Sequence, residues 1–378
     1  MWTLSTGKKV EEAVFRYALT MPTESIYHSF VVDCQDTFLV TLGVFSKAEL
    51  QEIALLDVKA KSAMPEDLKK YLLSFDLRSL KQLRDHLYTP QDWQKKYDSG
   101  AHADFEWIHG SFVNMLREQE FKTLDVPHLE SWYNAHIWKF IDSAFDDVME
   151  VDLVRGESTS QCSSLRKNLG RTSSQRKQFG RRLDFIIRCR HVDHAQDFEF
   201  GAGECGKAHQ ADTGTKALKE AHLKLPKVMK DMLDHLAATY PAKLRKFEVL
   251  GVTTFGNIER DTLLEIVYNT RDSLFFIGLS MSTLRMDAPQ GFICRLTRSQ
   301  QPTCIDVHET KFARSLISCL YMTWIVKAIV KGVVQLTTDD NDGDSSDDGS
   351  WLSDQVTFSP LSSPQLMPNC STSPANKR

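Results

Sequence analysis

The sequence predicts a mixed α/β protein. It has an α-β-β-β-α-β core over residues 127–335, a mainly helical region before it (1–126) and a disordered acidic, Ser-Pro-bearing tail after it (336–378). Three observations carry this reading. Between Gly180 and Lys207 (GRRLDFIIRCRHVDHAQDFEFGAGECGK), two apolar runs flank a polar turn. Leu183, Phe185 and Ile187 alternate with Asp184 and Ile186, and Phe198 and Phe200 flank Glu199, which is the period of strands. Stretches with helical spacing bracket the pair at 127–148 and 216–240. The composition then changes near Thr337: seven aspartates fall between Asp339 and Asp354, and the apolar content is too low to form a core.

Taken in order, Lys8 to Leu19 reads as a helix stopped by Pro22, and Ser25 to Leu42 as a short hairpin. Ser46 followed by Glu49 is a capping-box start. Leucines at helical spacing run from Glu66 to Tyr88 before Pro90, and Ala103 to Phe121 is a further helix. His28, His86, His102 and His109 have no carboxylate or cysteine at ligand spacing and read as surface or capping residues. Residues 127–148, with Trp132 and Phe145, form an aromatic-rich core helix. A strand follows at Met149–Arg155, then a long loop from Gly156 to Gly180, and strands at 182–190 and 197–204. In the helix 216–240, Pro226 must kink the chain or restart it. Leu218, Leu225, Met232 and Leu236 give that helix an apolar face, and Lys216, Lys219, Lys227 and Lys230 lie largely off it. A strand at 247–255, a meander through Thr262–Tyr268 and Leu274–Leu284, a short strand at Phe292–Leu296 and a closing helix Phe312–Lys331 complete the core.

Composition excludes several classes. Apolar residues make up 42% and charged residues 25%, with a net charge of −4, as in ordinary globular proteins. Eight cysteines occur with no CxxC pair, which argues against a disulfide framework or zinc ribbon and for a reducing, intracellular setting, cytoplasmic or nuclear. MWTLSTGKK has no apolar signal region, and Leu316–Val326 is too short to span a bilayer, so no membrane partner is expected. No GxSxG occurs and Cys205 has no evident base, which weighs against a serine or cysteine hydrolase. In the tail, Asp344 to Gly349 starts like a calcium loop, but Gln355 stands where a bidentate Glu is required. A zinc alternative would use Cys189, His191, His194, Cys205 and His209, at a spacing that matches no standard pattern.

The chemistry concentrates around the central strands. Asp184 sits among apolar neighbours, while Glu199, Glu204 and Lys207 gather along the next strand. Carboxylates brought together repel one another, so such a set serves to hold a cation or a proton. Oxygen donors of this kind suit Mg²⁺. Upstream, the chain from Ser158 to Leu183 carries Arg166, Lys167, Arg171, Arg176, Lys177, Arg181 and Arg182 and no acid. A flexible basic segment beside carboxylates fits a phosphate backbone, which makes nucleic acid an expected partner, the alternative being a solvated loop or a nuclear-import signal.

The α-β-β-β-α-β order, with Asp opening the second strand and acids with Lys on the third, resembles the PD-(D/E)XK nuclease core. The resemblance implies Mg²⁺ held by the motif carboxylates and a water positioned by the motif lysine. Carried over, Asp184, Glu204 and Lys207 are the catalytic set. Asp184 and Glu204 are the metal ligands, Glu199 is an alternative motif Glu, and Glu130 is the first-helix acid. One departure is that the family spacing is E-x-K, whereas Glu204-Cys205-Gly206-Lys207 is one residue longer, turning Lys207 to the other face of a regular strand. A bulge at Gly206 would restore it, or Lys224 from the following helix would substitute. The stretches VRGESTSQCSSLRKN, GRRLDFIIR, FGAGECGK and KLPKVMKDMLD also resemble a large group of uncharacterised proteins of early-diverging fungi over about residues 127–335, which implies no activity. The expected function is Mg²⁺-dependent nuclease activity. The alternatives are a catalytically inactive nuclease-fold module that binds nucleic acid, or an effector-like protein-interaction module using the tail and the helical N-terminus.

Overall fold

The computed structural model describes residues 1–60, 62–172, 174–189, 198–206, 220–256 and 279–338. The strands there are β1 (Val31–Asp33), β2 (Val151–Thr159), β3 (Arg182–Cys189), β4 (Glu199–Gly206), β5 (Glu248–Phe255), β6 (Leu279–Asp287), β7 (Cys294–Arg298) and β8 (Thr303–Ile305). They form one mixed sheet of order β1-β7-β6-β5-β4-β3-β2, with β8 pairing β6. The helices are α1 (Val10–Leu19), α2 (Phe38–Thr41), α3 (Lys47–Leu55), α4 (Glu66–Leu73), α5 (Leu80–Leu87), α6 (Asp92–Lys95), α7 (Ser99–Glu120), α8 (Glu130–His136), α9 (Lys139–Ser143), α10 (Gln161–Asn168), α11 (Leu225–Thr239) and α12 (Glu309–Thr338).

Strands β2, β3 and β4 are antiparallel neighbours, and β5 returns parallel to β4 after α11. A parallel return needs a crossover, and the crossover helix then covers the sheet. Gly251 of β5 faces Leu225 and Met229 of α11. Residues of the opposite parity on β6, Met281 and Thr283, meet Thr323 and Met322 of α12. The sheet is therefore sandwiched, which explains why β4 and β5 are buried along nearly their whole length.

The N-terminal region is not a separate helical layer. Residues 25–42 do not form the expected hairpin: β1 pairs parallel with β7 and is followed by the short α2. Val31 and Val32 join the same buried cluster as Phe185, Val252 and Leu320. The capping box on α3 forms, with Ser46 Oγ accepting from the Glu49 N–H at 3.2 Å and the Ser46 N–H donating to Glu49 Oε2 at 2.7 Å. Burial would raise the Glu49 carboxyl, but Lys8, Ser46 and Thr6 outweigh it and hold the group at about 2. At the other end of α3, Arg295 of β7 donates to the carbonyls of Ile53, Ala54 and Leu56 and bonds Asp287 through two nitrogens, at 2.9 and 2.6 Å. It thereby satisfies carbonyls that a helix C-terminus leaves open.

Other boundaries move for identifiable reasons. The single helix expected over 127–148 is broken into α8 and α9. Ile137 and Trp138, consecutive and both buried, lie at the break, where both their N–H groups donate to the Tyr133 carbonyl. The loop expected from Gly156 to Gly180 instead continues β2 to Thr159 and then forms α10. Pro226 does restart the chain: a π turn over Glu220–Lys224 leads into α11, where a proline at the first turn removes no helical bond. Lys227 and Lys230 are buried, not on a solvated face, and pair with Glu24 and Asp234.

The closing helix runs to Thr338, and Gly332 does not end it. By length and composition α12 could cross a membrane, yet 56% of its most apolar window is buried. Its buried Lys327 pairs with Asp104 and Asp147. The meander at 262–268, residues 216–219 and the tail from 339 lie outside the described residues.

Candidate active site

Asp184 is the third residue of β3 and Glu204 the sixth of β4. The β3–β4 register pairs Phe185 with Gly203, and one further antiparallel step sets Asp184 opposite Glu204. Residues directly opposite share a face. The two carboxylates expected to act together are thus neighbours across adjacent strands. Asp184 Oδ2 accepts from the Cys205 N–H at 2.5 Å, locking the carboxylate against β4.

Lys207 lies outside the described residues. Up to that point β4 stays regular: Gly206 pairs with Phe255 in unbroken parallel register, and its carbonyl accepts from the Gly256 N–H at 2.9 Å. Among the described residues the β4–β5 ladder shows no bulge as far as Gly206. The β3–β4 ladder is instead irregular at the far end, between Ile187 and Arg188. Among the described residues Lys224 reaches Glu204, its Nζ lying 2.7 Å from Oε1. It sits at the last residue of the π turn, an irregularity common at functional sites.

Glu130 opens α8 and shares a cleft of about 690 Å³ with Asp184, Asn134, Lys139, Asp142 and Glu157. Arg155 forms its floor, gripping Asp142 through two nitrogens at 2.6 and 2.7 Å while lying 5.2 Å from the Phe185 ring centroid. Glu157 was not anticipated. The β2–β3 ladder skips between Arg155 and Ser158, with Gly156 at φ 90° and Glu157 at φ 52°. A glycine inside a strand pattern was the available sign of a bulge.

Glu199 stands apart from this group, which corrects its place among the metal ligands. It begins β4, five residues and roughly 17 Å from Glu204 at ~3.3 Å per residue. It accepts from Ser160 Oγ at 2.6 Å, the Gln161 N–H at 2.7 Å and the Cys162 N–H at 3.3 Å. It therefore caps α10. Burial nevertheless pushes its carboxyl above the usual range, against the pull of those donors. Glu199→Ala should leave these donors unsatisfied and cost about 3 kcal/mol, read by urea denaturation. A loss below about 1 kcal/mol would show that α10 does not depend on this cap.

Among the described residues, no three His, Cys, Asp or Glu side chains converge as a metal cluster. The zinc alternative loses its geometry. The Cys189 N–H donates to the Phe198 carbonyl at 2.8 Å at one end of the β3–β4 pair, and Cys205 lies at the other, roughly 20 Å away. His191, His194 and His209 are outside the described residues. Burial holds the Cys205 thiol up at about 11, so it is no nucleophile.

The basic run divides in two. Arg166 pairs with Asp231 at 2.6 Å and Arg181 with Glu24 at 3.5 Å, which makes both structural and removes them from the expected phosphate contacts. Lys167 donates to the Phe179 carbonyl at 3.0 Å, and burial, with Arg181 and Arg166 nearby, lowers its pKa. Arg182 lies 3.7 Å from Glu157, both well exposed. Arg171, Arg176 and Lys177 are exposed, and among the described residues no carboxylate pairs with them.

Comparison with known protein families, with curated proteins and with solved structures finds no match. The functional reading therefore rests on the residues themselves.

Proposed function

We propose that this chain is a Mg²⁺-dependent nuclease of the PD-(D/E)XK kind, acting on the phosphodiesters of nucleic acid. The observation that carries the reading is the juxtaposition of Asp184 and Glu204 on β3 and β4, with Lys224 2.7 Å from Glu204. Order and pairing of the surrounding elements support it: helix, three antiparallel strands, crossover helix, parallel strand. Two carboxylates suffice for Mg²⁺, which fills its remaining positions with water and phosphate oxygens. Asp184 and Glu204 would hold the ion, and Glu130 lines the same cleft as Asp184. When bound, the ion would polarise a phosphoryl oxygen and acidify a water. Lys224 takes the part the motif gives to Lys207, with its ammonium placed to orient a water and balance charge on the phosphate. The exposed Arg171, Arg176 and Lys177 draw in the backbone.

A second reading, binding without cleavage, is favoured by the engagement of Glu204 itself, since a carboxylate held by an ammonium must share it to accept a cation. Lys224→Met separates the two. On the nuclease reading, Mg²⁺-dependent cleavage of plasmid and labelled single strands falls on the order of 10²-fold. The melting temperature of the variant then rises with Mg²⁺ by more than that of the parent, because Glu204 is freed. If the parent binds both nucleic acids but yields no Mg²⁺-dependent product, the binding-only reading stands.

A further inference from the structure

The segment between β2 and β3 shows a second feature. It is not the flexible loop its composition suggests but a preformed knob. The Asn168 side chain donates to the Gln178 carbonyl at 2.8 Å and accepts the Gln178 N–H at 2.8 Å. At its base, the Ser160 N–H donates to the Arg181 carbonyl at 2.9 Å, and the Arg181 N–H to Ser163 Oγ at 3.2 Å. Gly180 is required there, because a Cβ would fall 1.9 Å from the Ser160 carbonyl oxygen. From this tied base Phe179 projects with 74% of its surface exposed, and Leu169 with 83%. The same segment carries the exposed cations Arg171, Arg176 and Lys177, Arg171 donating to the Lys167 and Arg176 carbonyls, with no acid between Ser158 and Leu183.

An aromatic ring left in water on a tied base, in a segment whose exposed cations no carboxylate among the described residues pairs, matches what single-stranded nucleic acid offers. Every base has a flat face to stack, and the backbone supplies phosphates on either side. We propose that the knob binds single-stranded nucleic acid, with Phe179 stacking on an unpaired base and Arg171, Arg176 and Lys177 holding adjacent phosphates. A paired base hides its faces in the stack, so Phe179 gives a preference for unpaired strands that the cations alone do not. Phe179 precedes Asp184 by five residues, at most ~18 Å of chain. A single strand stacked there would need to extend only a few nucleotides to come near the carboxylates. This delivery to the carboxylates rests on the nuclease reading, whereas the stacking does not. Nearness to the Asp184 cleft favours a nucleic-acid strand over an anionic lipid surface, the other partner that apolar and basic groups could fit.

The test is fluorescence anisotropy with a short labelled oligothymidylate and with a matched duplex, in EDTA so that cleavage plays no part. The parent should prefer the single strand. Phe179→Ala should weaken single-strand binding about tenfold and change duplex binding little, while Phe179→Trp retains it. Neutralising Arg171, Arg176 and Lys177 to Gln should weaken both and flatten the single-strand salt slope by about 2, at ~0.7 per phosphate. Equal single-strand binding by parent and Phe179→Ala overturns the proposal, as does sedimentation with phosphatidylserine vesicles by a parent that ignores the oligonucleotide. Loss of cleavage with intact stacking would count against the nuclease reading alone. Cleavage with no Phe179 effect would count against the knob alone.

Discussion

Asp184→Asn is expected to abolish Mg²⁺-dependent cleavage, by on the order of 10³-fold, while leaving the fold intact. The first half follows from the ligand role: a carbonyl oxygen replaces a charged one, and the ion's Lewis-acid contribution of several kcal/mol goes with it. The second half follows from the local geometry. Asp184 Oδ2 accepts the Cys205 N–H, and the amide oxygen of Asn can accept the same bond. Removing one of two facing carboxylates also relieves repulsion toward Glu204. The competing account makes Asp184 half of a buried ion pair with Arg182, Arg188 or Lys207. Arg182 is already near Glu157, and loss of a buried partner would cost about 3–5 kcal/mol. Single-turnover cleavage and melts with and without Mg²⁺ decide between them. Clear destabilisation of the variant, with a parent melt unmoved by Mg²⁺, would leave Asp184 a structural residue.

The largest stability effect is expected far from the carboxylates, at Arg295. Only 3% exposed, this guanidinium closes both oxygens of Asp287 and three carbonyls at the end of α3. Lys59 reaches the same Asp287 at 2.9 Å. Arg295→Met strands a buried carboxylate and opens the helix end, so a loss of about 3–5 kcal/mol is expected. Arg295→Lys should recover little, because a single ammonium cannot span a bidentate carboxylate and a ring of carbonyls. Urea denaturation of both variants measures this. A Lys variant as stable as the parent would show that charge alone, without the planar fork, holds α3 to the sheet. The same contact explains why residues 1–126 are not an independent appendage: β1 and α3 are joined to β7 by pairing and by Arg295.

The central strands were legible because alternation is a local property. Leu183, Phe185 and Ile187 report their common face without knowledge of any partner, and β3, β4 and β5 fall within a residue or two of their expected ends. Helix α10 was not legible. Its eight residues carry little apolar surface, and what holds them lies elsewhere in the chain: Glu199 at its start and Asp231 beneath Arg166. A basic, serine-rich run reads as loop when its neutralising carboxylates are distant in sequence. Lys227 is hidden for the same reason, its partner Glu24 lying some two hundred residues upstream.

The candidate site divides along the same line. That Asp184 lies in a buried strand and Glu204 near the end of the next could be read from residue types and period. Whether they meet could not, because a one-residue slip in antiparallel register would have put them on opposite faces. The sequence by itself determined which strands exist, which of their residues carry charge, and that the E-x-x-K spacing turns Lys207 away in a regular strand. Only the tertiary structure decided that Asp184 stands beside Glu204, that Glu199 serves a helix end, and that Lys224 reaches Glu204. Each of those joins residues from separate elements, whose positions are set by packing and charge neutralisation, which local sequence does not encode.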